Sequence, residues 1–490
     1  MVASRALTCQ TLLRVNCNNG VLRMLERGCG NAACGRFARF AVTLPILGVL
    51  SLGSALADEA AFSDTLTGDW GGARSALDGK GIDVSVTYTA EALRTLSGGA
   101  KQGTAFEGLV DISVDTDLEK LVGWRGATTH IRVFQIHNAG GENAADYAGA
   151  ISDPSNIDAL ATTRLFTAWF QQEFGTVGSI RIGQLAADDD FFISDTAGGL
   201  INGTFGWGNN FAANLPSGGP GYPLATPGVR GQISVSENLS FLAAVFSGDP
   251  AGSRCYRDDP EADPQACNDR GTTFSFNGGA LWFGEAQYLV NQGDDAPGLA
   301  AAYKVGAWYH TGRFADQRFG LDAAGLRVSL ADPAVDGDHT HDGNWGIYGV
   351  ADQMIWRGDA SSVSFFLRGG VSPSNRNLVS WYVDGGIGIK GLFAGRDDDT
   401  LTFGIAHTHV SGDLSDLDRD VAFFSGTPYP VRSGETVLEL SYAVQVAPWW
   451  VVQPDVQYII RPGGGDPHPE DDARRIGNAF LVGVRSEINF

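Results

Sequence analysis

The last thirteen residues, Asn478 to Phe490, read NAFLVGVRSEINF and alternate without a break. Phe480, Val482, Val484, Ile488 and Phe490 share one parity, with Ser486 the single polar intruder. Ala479, Leu481, Gly483, Arg485, Glu487 and Asn489 fill the other. A strand sends successive side chains to opposite faces, so this stretch has one apolar edge and one mostly polar edge. A strand of a soluble sandwich is usually shorter, whereas a lipid-facing barrel strand needs about nine to eleven residues of this kind. The segment predicts an all-β fold, a transmembrane antiparallel β-barrel that this strand closes.

The rest of the chain repeats the pattern. Ile82, Val84, Val86, Tyr88, Ala90 and Ala92 alternate with Asp83, Ser85, Thr87, Thr89 and Glu91. Val110, Ile112, Val114 and Thr116 alternate with Asp111, Ser113, Asp115 and Asp117. Acids on the hidden face of two successive segments argue for a wet interior. Parity blurs around Thr128–Ile136. Further on, alternation and turn residues predict strands near 162–174, 179–186, 228–236, 239–247, 274–290, 299–311, 345–357, 362–371, 379–390, 400–410, 435–446, 450–460 and 478–490. With the first three the count is sixteen. Short connectors such as Gly175–Gly178, Ser236–Asn238 and Ala447–Trp449 follow the even strands. Long ones (138–161, 187–227, 248–273, 312–344, 411–434 and 461–477) follow odd strands. Long loops on one side and short turns on the other fit an outer-membrane barrel, with the long side extracellular and the short side periplasmic. The longest, Ala187–Pro227, is predicted to fold into the mouth and narrow the pore.

Residues 1–57 read as a signal peptide. Arg36 and Arg39 precede the apolar run Phe40–Gly53, and Ala55-Leu56-Ala57 supplies a small-x-small cleavage pattern. Met24 is an alternative start. Residues 58–490 are then one barrel domain. Removing six arginines and Glu26 with the leader leaves 28 basic and 55 acidic residues, a charge of −27. So acidic a chain excludes nucleic acid as a partner and predicts a weak cation preference in a channel. Beyond residue 57 no apolar stretch approaches a membrane helix. Cys255 and Cys267, the two cysteines outside the leader, are twelve positions apart in one polar loop and predict a disulfide. A metal pair is the lesser reading, since no histidine lies nearby.

Several ordered segments carry a likeness: LTGDWGGARSALDGKGIDVSVTYTAE (66–91), DPSNIDAL (153–160), GQLAADDDFFIS (183–194) and INGTFGWGNNFAANLPSGGPGYPLATPGVR (201–230). KVGAWYHTGRFADQR (304–318), GNWGIYGVADQMIW (343–356) and GLFAGRDDDTLTFGIAHTHVSG (391–412) continue it. Together they resemble the carbohydrate-selective outer-membrane porins, the OprB-type family, over essentially the whole chain beyond the leader. The resemblance implies a sixteen-stranded porin of a Gram-negative outer membrane passing glucose and similar sugars by facilitated diffusion. Sugars are then the permeants, and outer-membrane lipid and lipopolysaccharide surround the wall. Porins commonly form trimers, so a homotrimer is expected.

A sugar channel needs aromatic faces for stacking, and carboxylates, amides and guanidinium groups to replace water's hydrogen bonds. By parity the candidates are Glu91, Asp111 and Asp115 on the first two strands, Trp169 and Gln171 on the fourth and Arg181 on the fifth. Asp188, Asp189, Trp207, Asn209 and Asn210 come from the long loop. The plain alternative for each is a solvated lumen wall. Aromatic pairs Trp449-Trp450, Phe423-Phe424 and Trp381-Tyr382 fit interfacial girdles, with ordinary core or loop aromatics the alternative and, for Phe423-Phe424 in a long connector, the stronger reading. The G-x-G-x-x-G run at Gly386–Gly391 ends a strand with no helix after it, which removes the dinucleotide reading. Asp338-x-Thr340-x-Asp342 lacks the glutamate of a calcium loop, having Gly349 at the twelfth position. His339/His341 and His407/His409 are pairs, and two histidines alone make no zinc site. No catalytic motif is found and no enzyme is expected. No cofactor is expected either, calcium on exposed loop acids aside. The alternatives are a general non-selective porin, a barrel enzyme, or a soluble periplasmic sugar-binding β-protein.

Overall fold

In the computed structural model the described residues are 62–139, 142–252, 255, 262–293 and 296–490. The expected leader, with its alternative start at Met24, lies outside them. Sixteen long strands form one antiparallel sheet that closes on itself. The first eight are β1 (Ile82–Gly99), β2 (Gly103–Asp117), β3 (Ala127–Ala139), β4 (Thr163–Glu173), β5 (Gly178–Leu185), β6 (Thr226–Ser234), β7 (Leu239–Ser247) and β8 (Ala280–Val290). The second eight are β9 (Ala301–Asp322), β10 (Val335–Arg357), β11 (Ser362–Val371), β12 (Val379–Lys390), β13 (Thr400–Val410), β14 (Gly434–Ala447), β15 (Trp450–Ile460) and β16 (Gly477–Asn489).

Each strand pairs with its neighbours in sequence, and β16 pairs with β1, with Glu91 opposite Arg485 and Tyr88 opposite Ile488. Closure leaves no sheet edge, which is what a strand needs where lipid offers no hydrogen bonds. The parities fall as the sequence predicts. On β16, Ala479 and Leu481 are buried inside while Val484 is exposed outside. Ile131, Ile182, Val305, Ile347 and Phe403 continue the outward apolar band. Trp282, Tyr309 and Trp345 stand side by side in register at its long-connector end, in the manner of an interfacial girdle. Trp449 and Trp450 stack at the opposite end.

Three expectations need correction. Residues 274–279 are not strand; β8 begins at Ala280. The connector 312–344 is mostly hairpin, because β9 and β10 run on to Asp322 and back from Val335, and a short strand, Arg327–Ser329, pairs with the tip. Tyr382 faces inward and is buried, so only Trp381 of that pair reaches the outer surface. Phe423 and Phe424, in line with the stronger reading of that pair, belong to the helix Gly412–Ser425 of a long connector and not to a girdle.

The blurred stretch also has a physical reason. Arg132, Phe134 and Ile136 share the inward face of β3, but Phe134 and Ile136 meet Ile157, Phe166 and Ala225 there and not water. A register shift opposite Arg132 and Val133 turns both Phe166 and Thr167 of β4 inward. Cys255 and Cys267 form the predicted disulfide. Because Val484 sits mid-strand on the outer face, Val484→Arg is expected to lower folding stability in lipid vesicles by about 2–4 kcal/mol. Glu487→Gln, on the inner face, is expected to stay within about 0.5 kcal/mol. Denaturant titration of the refolded barrel reads both.

Candidate functional site

The connector between β5 and β6, residues 186–225, does not stand above the barrel but packs into it. Phe191, Phe192, Phe205 and Phe211 are buried among Phe283, Tyr348, Phe366 and Tyr382 of the wall. A loop placed inside must satisfy its backbone polar groups there, and inward side chains of β8–β15 do so. Glu285 accepts from Phe192 N–H (3.1 Å), Asp352 from Thr196 N–H (2.9 Å), and Glu439 from Ile201 and Asn202 N–H (2.5 and 3.1 Å). Lys304 donates to Ile193 O and Gln453 to Gly199 O. Arg368, fully buried, donates to Phe192 O (3.1 Å) and Phe205 O (2.7 Å) and pairs with Asp384, which also accepts from Tyr382 Oη (2.7 Å).

The connector 140–162 is tied down in the same way. Glu435 accepts from Ile151 and Ser152 N–H, both at 2.8 Å. Glu107 accepts from Ala144 N–H at 2.8 Å.

The inward face of β2–β6 is built differently. Asp115 Oδ1 lies 2.7 Å from His130 Nδ1; the His130 ring stacks on Trp169 at 4.9 Å; and the Arg181 guanidinium lies 4.2 Å from the Trp169 ring centre. Arg181 donates to Gln171 (3.0 Å) and pairs with Asp190 (3.2 Å), which also pairs with Arg230 (2.9 Å). Arg132 donates from Nε and Nη2 to the Asp111 carboxylate in a two-pronged ion pair (2.6 Å at its shortest) and faces Asp189 at 3.8 Å. Its guanidinium sits 5.0 Å from the Phe134 ring centre and 5.7 Å from that of Phe166. Planar cations held against aromatic faces and tied to carboxylates keep a fixed orientation.

Between this face and the two inserted loops lies a cavity of about 520 Å³, within the range of small-molecule sites. Arg132, Phe134, Phe166, Asp188, Asp189, Trp207, Asn209, Tyr222 and Arg368 border it, with Asp153 and Asp158 from connector 140–162. Of the predicted residues, Asp188, Asp189, Trp207 and Asn209 therefore border the cavity. Asp111, Asp115, Trp169, Gln171 and Arg181 join the charged and aromatic ladder beside it. Glu91 is buried and paired with Arg485. Asn209, also buried, donates to Ser152 and Thr408, and Asn210 is enclosed. Trp207 stacks on Phe211 at 4.4 Å and donates to Gly218 O. Sequence reasoning passed over Arg132, His130, Arg230 and Arg368. Arg132 lay in the stretch of unclear parity, although alternation with Phe134 and Ile136 marked its face.

A closed barrel with lipid outside, loops packed inside and a polar, aromatic-lined cavity beside them defines an outer-membrane channel. A family profile described as carbohydrate-selective porin, OprB family, matches residues 101–490. The chain belongs to that family and, with it, to the Gram-negative outer membrane. It is 27% identical over 481 residues to Porin B of Pseudomonas aeruginosa, covering 92% of this chain and 98% of that one. Over 466 residues it is 22% identical to the putative porin QuiX of Acinetobacter baylyi, covering 87% and 93%. The solved high-pH structure of Pseudomonas putida OprB superposes with a TM-score of 0.75 at 23% identity, covering 89% of this chain and all of that one. It shows the same fold.

Burial pushes up all four loop acids at the cavity, Asp153, Asp158, Asp188 and Asp189. Burial, followed by repulsion from Asp189, pushes the Asp188 carboxyl up to about 7, against the bond it accepts from Tyr222 N–H. Burial and then Glu107 push Asp158 up to about 8. Both are neutral at low pH and gain charge as pH rises through those values. Cation preference, read from reversal potentials in planar bilayers, is expected to rise from about pH 5 to about pH 9. In the double variant Asp158→Asn, Asp188→Asn the rise is expected to flatten.

Proposed function

We propose that the channel passes glucose-like monosaccharides by facilitated diffusion, through a passage narrowed where loop 186–225 faces the β2–β6 wall. The supporting observation is the setting of Arg132: one guanidinium tied to Asp111, facing Asp189 and lying over Phe134 and Phe166 at the cavity edge. A sugar ring offers a flat C–H face and a rim of hydroxyls. Carboxylates accept from the hydroxyls and guanidinium N–H groups donate to them, while Phe134 and Phe166 lie behind the Arg132 guanidinium and hold its plane. Each such contact replaces a hydrogen bond to water, so entry is eased and exit stays fast. The proposed passage needs neither a reaction nor a cofactor.

Liposome swelling with glucose, larger oligosaccharides and a non-sugar solute of equal size tests this reading. Glucose is expected to enter several-fold faster than its size-matched control. Arg132→Ala is expected to remove most of that difference while raising ion conductance. Equal rates for every small solute would leave a general porin instead.

The proposal also places the barrel wall in outer-membrane lipid, with lipopolysaccharide at the long-connector end and three barrels associated. Light scattering with detergent contrast is expected to give three times the mass of one chain.

A further inference from the structure

Away from the cavity, the long hairpin of β9 and β10 brings together three side chains that the sequence keeps apart. Asp316 lies on the outgoing strand, and His339 and His341 on the returning one. Asp316 Oδ2 is 3.1 Å from His339 Nδ1 and 2.8 Å from His341 Nε2. One potential ligand atom from each residue lies within 4.8 Å of the other two, the one such group of three or more among the described residues. We propose that Asp316, His339 and His341 bind a single divalent transition-metal ion of the zinc class.

The donor chemistry selects the class. Two imidazole nitrogens and one carboxylate oxygen suit zinc, cobalt, nickel or copper, whereas calcium and magnesium ask for all-oxygen shells. The spacing fits as well. Tetrahedral zinc with bonds of about 2.0–2.1 Å holds its ligand atoms roughly 3.3 Å apart. The two measured separations are already within about half an ångström of that, so the ion would enter by a small outward movement of the rings and displace the ring protons aimed at Oδ2.

The carboxylate is oriented in advance. Asp316 Oδ1 accepts from Arg318 N–H (2.9 Å) and Phe319 N–H (2.8 Å), which aims Oδ2 at the imidazoles. Fixing a ligand through its other atom is the usual work of the outer shell in metal sites. Asp316 is 4% exposed, while the side chains of His339 and His341 are 25% and 18% exposed. That leaves one open side for entry and for a water ligand.

The other histidine pair makes the contrast. His407 and His409 lie against Trp381, and their Nδ1 atoms engage the hydroxyls of Thr436 and Ser380.

A bound ion would matter to the mouth of the channel. The pairing of β9 with β10 is irregular on both sides of the site, with register shifts between Asp338 and Thr340 and between Asp342 and Asn344. A metal crosslink would fasten the hairpin where its backbone ladder is interrupted. Arg318, two residues beyond Asp316, pairs with Asp416 and Asp420 of the helix Gly412–Ser425, so the fastening would extend to that helix.

The test uses the detergent-purified, chelator-stripped barrel, titrated with Co²⁺ and then Zn²⁺ in the presence of excess Ca²⁺. One equivalent of Co²⁺ is expected to bind with visible d–d absorption and to be displaced by Zn²⁺. Asp316→Asn and the double variant His339→Ala, His341→Ala are expected to weaken binding about tenfold or more. His339→Gln, which keeps a hydrogen-bonding side chain while giving up one imidazole, is expected to weaken it too. The double variant His407→Ala, His409→Ala is expected to bind as the parent does. Heat-shifted gel mobility selects the folded variants for comparison. Absence of saturable binding, displacement by Ca²⁺, or equal affinity in His339→Gln and the parent would overturn the proposal.

Discussion

A polypeptide in hydrocarbon has no water to satisfy its amides, and the pairing of β16 with β1 answers that constraint. Without the meeting of Glu91 with Arg485 and Tyr88 with Ile488, two rows of backbone donors and acceptors would face lipid. Once the sheet is closed, each strand divides its side chains between two media, and this division organises the molecule. Valines, isoleucines and aromatics go outward. The inward positions are released from any need to be apolar and carry the groups that hold loops and line the cavity. The result is an outer-membrane carbohydrate porin, a channel through the sheet's interior.

The interior is only partly a water-filled bore. Two connectors occupy much of it, and they stay because wall carboxylates accept their backbone N–H groups. Glu285, Asp352, Glu435 and Glu439 each hold one or more such donors. Each accepted amide hydrogen satisfies a loop donor and offsets part of the cost of burying the carboxyl group. Arg368 and Asp384 work from the other sign, the guanidinium bonding loop carbonyls while the carboxylate neutralises it. Such a pair adds little by itself, yet removing one member leaves the other charge stranded. The wall from β8 to β15 is thus committed to holding the loop. The wall from β2 to β6 carries the charged and aromatic ladder beside the cavity.

How much of this was legible follows from the same division. Strands that face lipid on one side and polar groups on the other announce themselves by alternation, and so the sixteen strands and the two faces of β16 could be read directly. Legibility fails where the inner medium changes. Phe134 and Ile136 meet loop residues where water was expected, so β3 loses its contrast. Glu285 and Glu439 drew no notice in the sequence because the backbone amides they hold lie 93 and 238 positions away, which no local pattern encodes. Glu91 was placed on the correct face, but the pattern could not reveal that Arg485 covers it. His339 and His341 looked like two isolated imidazoles because Asp316, which faces both, sits on the opposite arm of the hairpin.

The closed register also bears on how such a chain can change over time. Side chains alternate with a period of two, so deleting one residue from β16 would exchange lipid-facing Val484 with its inward neighbours along half the strand. Insertions and deletions within strands therefore go in pairs, or singly where a bulge absorbs the odd residue, as at Phe166 and Thr167. Connectors such as 248–279 carry no such parity and can gain or lose single residues. Length drift between descendants of this chain should accumulate in the long connectors, while the strands keep the parity of their faces.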